Sequence, residues 1–310
     1  MTDLAPFAGP GRFWKGNVHT HSTRSDGALP VETVCARYRD AGYDFLSITD
    51  HFMERFDWPV VDTRGERSSN GRSGGFTTII GAELHAPATS HGERWHILAV
   101  GLPLDFARNL PGEDGPALAL RASQAGAFVG IAHPAWYGLT TADARTLHFA
   151  DAVEVYNHTS QVRTDRGDGW YLLDALLNEG ARHTAIAVDD AHFHCDDGFG
   201  GWINVRAESC EPEALLAAMK AGRFYSSQGP EIREVTLTPD TIEIACSPAR
   251  AVIAVGRASK SSQVVTEAGG EVTRAVLPRE PLGASPWLRL AVVDAAGRRA
   301  WTNPIWLAGP

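Results

Sequence analysis

The chain has 310 residues, 44% hydrophobic and 21% charged, and its 28 Lys plus Arg against 37 Asp plus Glu leave a formal charge of -9. This is the composition of an ordinary globular protein and excludes extended disorder. The acidic balance also offers no footprint for a long polynucleotide, whose binders show a basic surface or stripe.

In chain order, the first apolar run leads into Gly16-Asn17-Val18-His19-Thr20-His21. Alternate side chains of an extended segment share a face, so His19 and His21 offer two imidazoles to one point, the beginning of a metal site. Residues 31–41 place Val31, Val34, Cys35 and Tyr38 on one helical face, with Gly42 as the stop. Strands are predicted over 43–49, 78–83, 96–101, 128–132, 152–156 and 185–188, and further helices over 117–125 and 170–179. Strands separated by helices imply parallel βα units, in a barrel or an open sheet. His, Asp and Glu residues fall at or just past the ends of these strands, which favours a barrel over a sheet with one switch point.

The polar, Arg-rich segment 54–75 reads as a solvated loop or as a lid from which Arg64, Arg67 and Arg72 reach an anionic substrate. After Gly229-Pro230 the pattern becomes short alternating strands with no helical periodicity. The expectation is a first domain over 1–229 and a small β-sandwich-like domain over 230–310, in which Trp287, Trp301 and Trp306 pack the core. All 12 His lie between His19 and His194, so the chemistry belongs to the first domain. Cys35, Cys195, Cys210 and Cys246 form no CxxC pair, which indicates neither a zinc ribbon nor a disulfide framework. With no signal-peptide pattern and no apolar run of about 20 residues, a cytoplasmic protein with no membrane partner is expected.

The candidate ligands are His19, His21, Asp26, His51, Glu83, His96, His133, Asp190 and His192. Imidazole and carboxylate without thiolate suit Mn²⁺, Zn²⁺ or iron, and more than four ligands imply more than one ion. Each residue taken singly has a bland reading as a core or surface side chain. There is no G-x-S-x-G elbow and no strand-following GxGxxG, so a serine hydrolase or a dinucleotide enzyme lacks its motif. Glu154, Tyr156 and Asn157 end a strand on the same rim, either orienting ligands or facing neighbouring helices. His158 and His194 are candidates for protonating a leaving group. Lys15, Arg72, Arg163 and Arg182 are candidates for holding an anion, with solvation as the alternative. His85, His91, His148 and His183 read as structural or surface residues.

The ordered set resembles the PHP (polymerase and histidinol phosphatase) family of metal-dependent hydrolases. His19-Thr20-His21-Ser22-Thr23-Arg24-Ser25-Asp26-Gly27 matches its first motif and Ile48-Thr49-Asp50-His51 its second, followed by Glu83, His96, His133-Pro134 and Asp190-Ala191-His192. The resemblance covers 15–194. It implies an α/β fold, a distorted seven-stranded (β/α) barrel followed by the small all-β domain, with a trinuclear centre of Mn, Zn or Fe. One ion would take His19, His21, Glu83 and Asp190; a second Glu83, His96 and His133; a third Asp26, His51 and His192. Within the doublet Asp189-Asp190, the family's DxH spacing to His192 favours Asp190. Asp26 stands where some relatives carry His, which leaves the metal open. Glu83, Asp190, His192 and His194 would serve catalysis, a cluster-activated hydroxide attacking a small, anionic phosphate ester. A carbaryl-hydrolase-like branch is also similar, which makes a carboxyl ester, amide or carbamate the alternative substrate. A non-catalytic scaffold is a third reading, against which the complete ligand set speaks.

Overall fold

The computed structural model describes residue 4 and residues 6–68 and 75–307; Arg72 lies outside the described residues. The elements are β1 (Arg12–Asn17), α1 (Val31–Asp40), β2 (Phe45–Leu46), β3 (His51–Phe52), β4 (Thr77–Thr78), β5 (Gly81–Ala86), β6 (Trp95–Val100), α2 (Gly115–Gln124), β7 (Phe128–Ile131), α3 (Thr141–Thr146), β8 (Ala152–Asn157), α4 (His158–Thr164), α5 (Trp170–Asn178), β9 (Thr184–Val188), β10 (Trp202–Ala207), α6 (Pro212–Lys220) and β11 (Phe224–Ser227). Strands then follow one another as β12 (Ile232–Leu237), β13 (Thr241–Ala249), β14 (Ala251–Gly256), β15 (Ser261–Val265), β16 (Val272–Pro278), β17 (Trp287–Val293), β18 (Arg299–Thr302) and β19 (Ile305–Trp306).

The helix α1 forms as its periodicity requires, burying Val34, Cys35 and Tyr38, and its chain turns at Gly42 with φ 79°. The predicted strand over 43–49 shrinks to β2, because Ser47 and Thr49 bond to Asn17 and Thr20 outside a regular ladder. The run over 78–83 divides into β4 and β5, which join different sheets. The expectation of uniformly parallel units is corrected here: β5 pairs antiparallel with β6, and β6 with β7. No helix lies between β5 and β6, and a crossover is what parallel neighbours require. Sequence periodicity also missed α3, α4 and α6; α6 opens with Pro212 at its first position, where a missing N–H costs nothing.

Three mixed or antiparallel sheets result: one of ten strands containing β1, β2, β4, β10 and β11 and continuing through β18 into β17, β14 and β15; one of six strands, β3-β5-β6-β7-β8-β9; and one of three, β12-β13-β16. The segments β2–β3 and β4–β5 each contribute to both larger sheets, and a parallel bridge between Thr20 and Ala191 joins the ends of β1 and β9. Ile97, Ala99, Val129, Ile131, Leu173 and Trp301 are among the residues of the largest apolar cluster, which Trp287 also enters at 1% exposure. Burying each such large side chain contributes about 1.5–3 kcal/mol. The strand ends that carry the chemistry thus sit on a rigid support. Among the described residues no helix is long and apolar enough to cross a membrane.

Candidate metal centre

His19 and His21 flank Thr20, whose hydroxyl donates to Ala191 O, while Asp190 N donates to His19 O and His21 N to Ala191 O. These bonds dock the first histidine pair against the Asp190–His192 segment. Asp190 adopts φ 57° and His133 φ 21°, left-handed values that cost about 1–3 kcal/mol each and recur where a side chain must be aimed at a site. Asp50 sets the turn after His21, accepting from Ser22 N at 2.8 Å, Ser22 Oγ at 2.6 Å and Ser25 Oγ at 2.5 Å. Asp189 points away from the site, accepting from Tyr38 Oη and from the backbone of Phe199, Gly200 and Gly201.

Glu83 lies at the middle of the cluster with no exposed surface. Its Oε1 is 2.7 Å from His96 Nδ1 and 3.0 Å from His133 Nε2, and its Oε2 is 2.6 Å from His51 Nδ1. Asp190 Oδ1 is 2.9 Å from His21 Nε2 and 3.2 Å from His19 Nε2. Asp26 Oδ1 is 3.2 Å from His51 Nε2 and 3.4 Å from His192 Nε2. Donor atoms close enough for one ion gather as His21, Asp26, His51 and His192; as His19, Glu83 and His133; as His19, His21 and Asp190; and as His51, Glu83 and His85. The structure therefore brings together the sequence-predicted ligands, with His21 reaching two groups and His96 approaching through Glu83.

Burial opposes ionisation of Glu83, but His51, His85 and His96 around it and the bond from His133 hold its carboxyl well below the usual range. Burial is likewise outweighed at Asp190 by His19 and His21, and at Asp26 by His192 and His51, so both are held well below the ordinary carboxylate range. Burial lowers His96 to about 3, whereas at His51 the facing Glu83 and Asp26 overcome it and raise the imidazole to about 10. The arrangement is a set of ionised carboxylates threaded through imidazoles.

Two buried atoms test whether a cation fits. Glu83 Oε2 and His19 Nε2 lie 3.7 Å apart and neither makes an aligned hydrogen bond, although His51 Nδ1 is 2.6 Å from the carboxylate oxygen and Asp190 Oδ1 is 3.2 Å from the imidazole nitrogen. Buried nitrogen and oxygen atoms crowded together without aligned hydrogens suit a divalent ion with imidazole and carboxylate ligands. The donors are hard and borderline, with no thiolate among the grouped residues.

Glu154, buried at 1% exposure, orients this set: Oε1 is 2.6 Å from His19 Nδ1, and Oε2 accepts from His133 N at 2.7 Å and Asn157 Nδ2 at 2.9 Å. Of its two sequence readings, the ligand-orienting one describes the geometry. His85, read from the sequence as a structural or surface residue, is also brought to this set, grouped with His51 and Glu83. Alternation along β5 puts His85 on the face of Glu83, which was the available signal, and the ring is 2% exposed with Nε2 2.8 Å from His51 Nδ1.

Above these groups opens a cleft of about 610 Å³, lined by Asp26, His51, Glu83, His96, His133, Asp190 and His192 together with Trp136, Thr159, Ser160, Arg163 and His194. Arg163 thus stands where an anion-binding residue is expected, and His194 is exposed with Nε2 2.7 Å from Asp26 O. Other candidates stand elsewhere. Lys15 does not line the cleft; its Nζ packs 3.9 Å over the Tyr43 ring and 4.0 Å over Trp202. His158 also stays outside it, its Nδ1 bonded to Tyr156 Oη at 2.8 Å and its ring against Gly200, where a Cβ would lie 2.2 Å away. Arg64 pairs with Asp62, Arg67 donates to Thr78 O, and Arg182 covers Trp306, so none of the three lines the cleft.

No protein-family model and no curated protein matches the sequence. Among solved structures, the chain is similar to a two-domain protein from Bacteroides vulgatus containing a predicted PHP-like metal-dependent phosphoesterase, at TM-score 0.52 and 15% identity over 93% of this chain and 94% of that one. An amidohydrolase from Chromobacterium violaceum with bound sulfate and no metal aligns at TM-score 0.43 and 14% identity, over 59% of this chain and 89% of that one. The first likeness spans nearly the whole of both chains and shows that this chain shares the overall fold of that two-domain protein.

Proposed function

We propose that this protein is a metal-dependent hydrolase of small phosphate esters. The observation that carries the reading is the gathering of Asp26, His51, Glu83, His133, Asp190 and His192 in groups that could hold metal ions, along a cleft that also presents Arg163. The two larger sheets, joined through β2–β3, β4–β5 and the Thr20–Ala191 bridge, support a distorted seven-stranded barrel. In this reading residues 1–229 hold the chemistry and 230–310 form an appended β domain, and the location is cytoplasmic.

His19, His21, Asp26, His51, Glu83, His96, His133, Asp190 and His192 would hold the divalent ions, with Mn²⁺, Zn²⁺ and Fe²⁺ suited to these donors. Such ions supply Lewis acidity and a nucleophilic water at neutral pH. The chain's own groups do the rest. Glu154 fixes the ring of His19 through Nδ1, leaving Nε2 toward the centre. Arg163 neutralises an anionic substrate oxygen, and its guanidinium matches a phosphate bidentately. His194, in the same cleft, gives a proton to the departing alkoxide. Thr159 and Ser160, on the same helix as Arg163, line the cleft beside it, and the Thr159 hydroxyl donates to Asp190 O.

A second reading has one observation in its favour: Trp136, 39% exposed, lines the cleft and suits the apolar part of a carboxyl ester, amide or carbamate. The test is elemental analysis of purified protein combined with a panel of phosphomonoesters, phosphodiesters and carboxyl or carbamate esters. The expectation is bound transition metal and turnover of a phosphate ester that inorganic phosphate inhibits competitively. A metal-loaded protein that hydrolyses only neutral esters, unaffected by phosphate, overturns the phosphate assignment. Protein that binds no transition metal overturns the hydrolase reading itself.

A further inference from the structure

The chain holds 9 tryptophans, and all but one have their rings covered. Trp14, Trp58, Trp170, Trp202 and Trp306 each lie under an arginine or lysine side chain, and Trp95, Trp287 and Trp301 are buried. The exception is Trp136, 39% exposed and lining the cleft of the metal centre. Its ring contacts are His133 at 5.2 Å and 83°, His96 at 5.3 Å and 73°, and Tyr137 at 6.3 Å and 56°. All three rings meet it steeply, so among the described residues neither a cation nor a parallel ring covers its face.

The backbone holds this residue in place at both ends of its peptide units. Trp136 N donates to His133 O at 3.0 Å, and Trp136 O accepts from Arg166 Nη1 at 3.2 Å. Arg166 follows directly on α4, the helix that carries Arg163, so the indole and the cationic wall of the cleft are linked by one contact. A preplaced indole is a rigid, flat contact surface that loses little conformational entropy on binding. An aromatic ring stacked offset on it gains more than the area it buries, whereas a saturated group gains the area alone. A cation would also suit an indole face, but Arg163 shares this cleft and the centre is read as a site for divalent ions, so a positive substituent is repelled. A neutral planar ring is the partner that fits. Because the indole stands beside His96 and His133, a ring lying on it is next to the reacting end of the ester, and a short link joins the two.

We infer that Trp136 determines specificity for the alcohol side of the substrate: the preferred phosphate esters carry an aromatic ring close to phosphorus, which stacks on the indole while Arg163 takes the anion. This rests on the phosphate-ester reading above and narrows its substrate class. The apolar wall that favours the second reading thereby has a task within the first.

The experiment titrates benzylphosphonate, cyclohexylmethylphosphonate and trimethylammonioethylphosphonate calorimetrically into full-length, Zn²⁺-loaded wild type, Trp136→Leu and Trp136→Phe, with circular dichroism as the folding control. The probes share an uncleavable phosphonate and differ in the group beside it. Wild type is expected to bind benzylphosphonate about 2–10-fold more tightly than the cyclohexyl compound, the usual gain of an aromatic pair beyond its area. Trp136→Leu, which keeps apolar bulk without a π face, should lose this preference and Trp136→Phe should keep it. The kcat/KM ratio of benzyl to cyclohexylmethyl phosphate should follow the same order. Equal binding of the first two phosphonates by wild type, tightest binding of the ammonium compound, or an undiminished preference in Trp136→Leu overturns the inference and leaves the phosphate reading standing. Protein that binds none of the three overturns the phosphate reading and the inference with it. Should Trp136→Leu not fold, the indole N–H signal that Trp136→Phe deletes from the wild-type NMR spectrum decides: an upfield shift with benzylphosphonate but not with the cyclohexyl compound supports the inference, and equal shifts overturn it.

Discussion

Glu154 Oε1 lies 2.6 Å from His19 Nδ1, while the other oxygen of the same carboxylate accepts from His133 N. One buried side chain within β8 therefore sets both the ring of His19 and the backbone carrying His133. Replacing Glu154 by Ala is expected to lower metal affinity and kcat/KM by about 10–100-fold, with a smaller loss in Glu154→Gln, which keeps an acceptor. Titration of metal into stripped protein, alongside steady-state kinetics, checks both.

Chelation is expected to abolish turnover and to lower Tm, since an ion that binds only the folded state stabilises it by mass action, by about 4 kcal/mol at a thousandfold excess over Kd. Readdition of Mn²⁺, Zn²⁺ or Fe²⁺ should restore both. Asp190→Ala combined with His192→Ala should give a protein with no activity and no metal-dependent rise in Tm. Scanning calorimetry with and without metal reads this directly.

Arg163 lines the cleft and no ion pair to it is found among the described residues. If its role is to bind the anion equally in ground and transition states, Arg163→Ala raises KM for a phosphate ester by about tenfold and changes kcat little. A neutral ester assayed in parallel should show no such KM effect.

Arg289 makes two bonds to Asp174, at 2.9 and 2.7 Å, and stacks 3.9 Å over Trp170, tying β17 to α5. Arg289 is 8% exposed. Leaving Asp174 without this partner in Arg289→Leu should cost about 2–4 kcal/mol, as for a largely buried pair that loses one member. Urea denaturation midpoints measure the change, and Asp174→Asn, which retains one acceptor, should cost less.

Asp143 accepts from Ser90 N at 3.0 Å, Ser90 Oγ at 2.6 Å and Thr140 Oγ1 at 2.6 Å. Burial opposes its ionisation, but these bonds outweigh burial and lower its pKa. A depressed folded-state value stabilises the fold above the unfolded value of about 3.9, and that contribution is lost as pH falls through the folded value. The Tm difference between wild type and Asp143→Asn should therefore be full near neutrality and shrink at acid pH; a difference that grows on acidification contradicts this.

The sequence by itself determined the inventory of candidate ligands. His19-Thr20-His21, Asp26, His51, Glu83, His96, His133, Asp190 and His192 were legible because short spacings, strand alternation and strand ends place them without reference to distant chain. The helix α1 and the all-strand run after Ile232 were legible for the same local reason. Tertiary structure alone decided which residues meet. Lys15 looked like an anion ligand from its neighbours in sequence, but its ammonium is drawn onto the Tyr43 and Trp202 rings. The antiparallel turn of β6 between β5 and β7 depends on pairing across the sheet. That pairing also sets His85 opposite His96 and carries its ring to His51, a contact between residues 34 apart that no local pattern encodes.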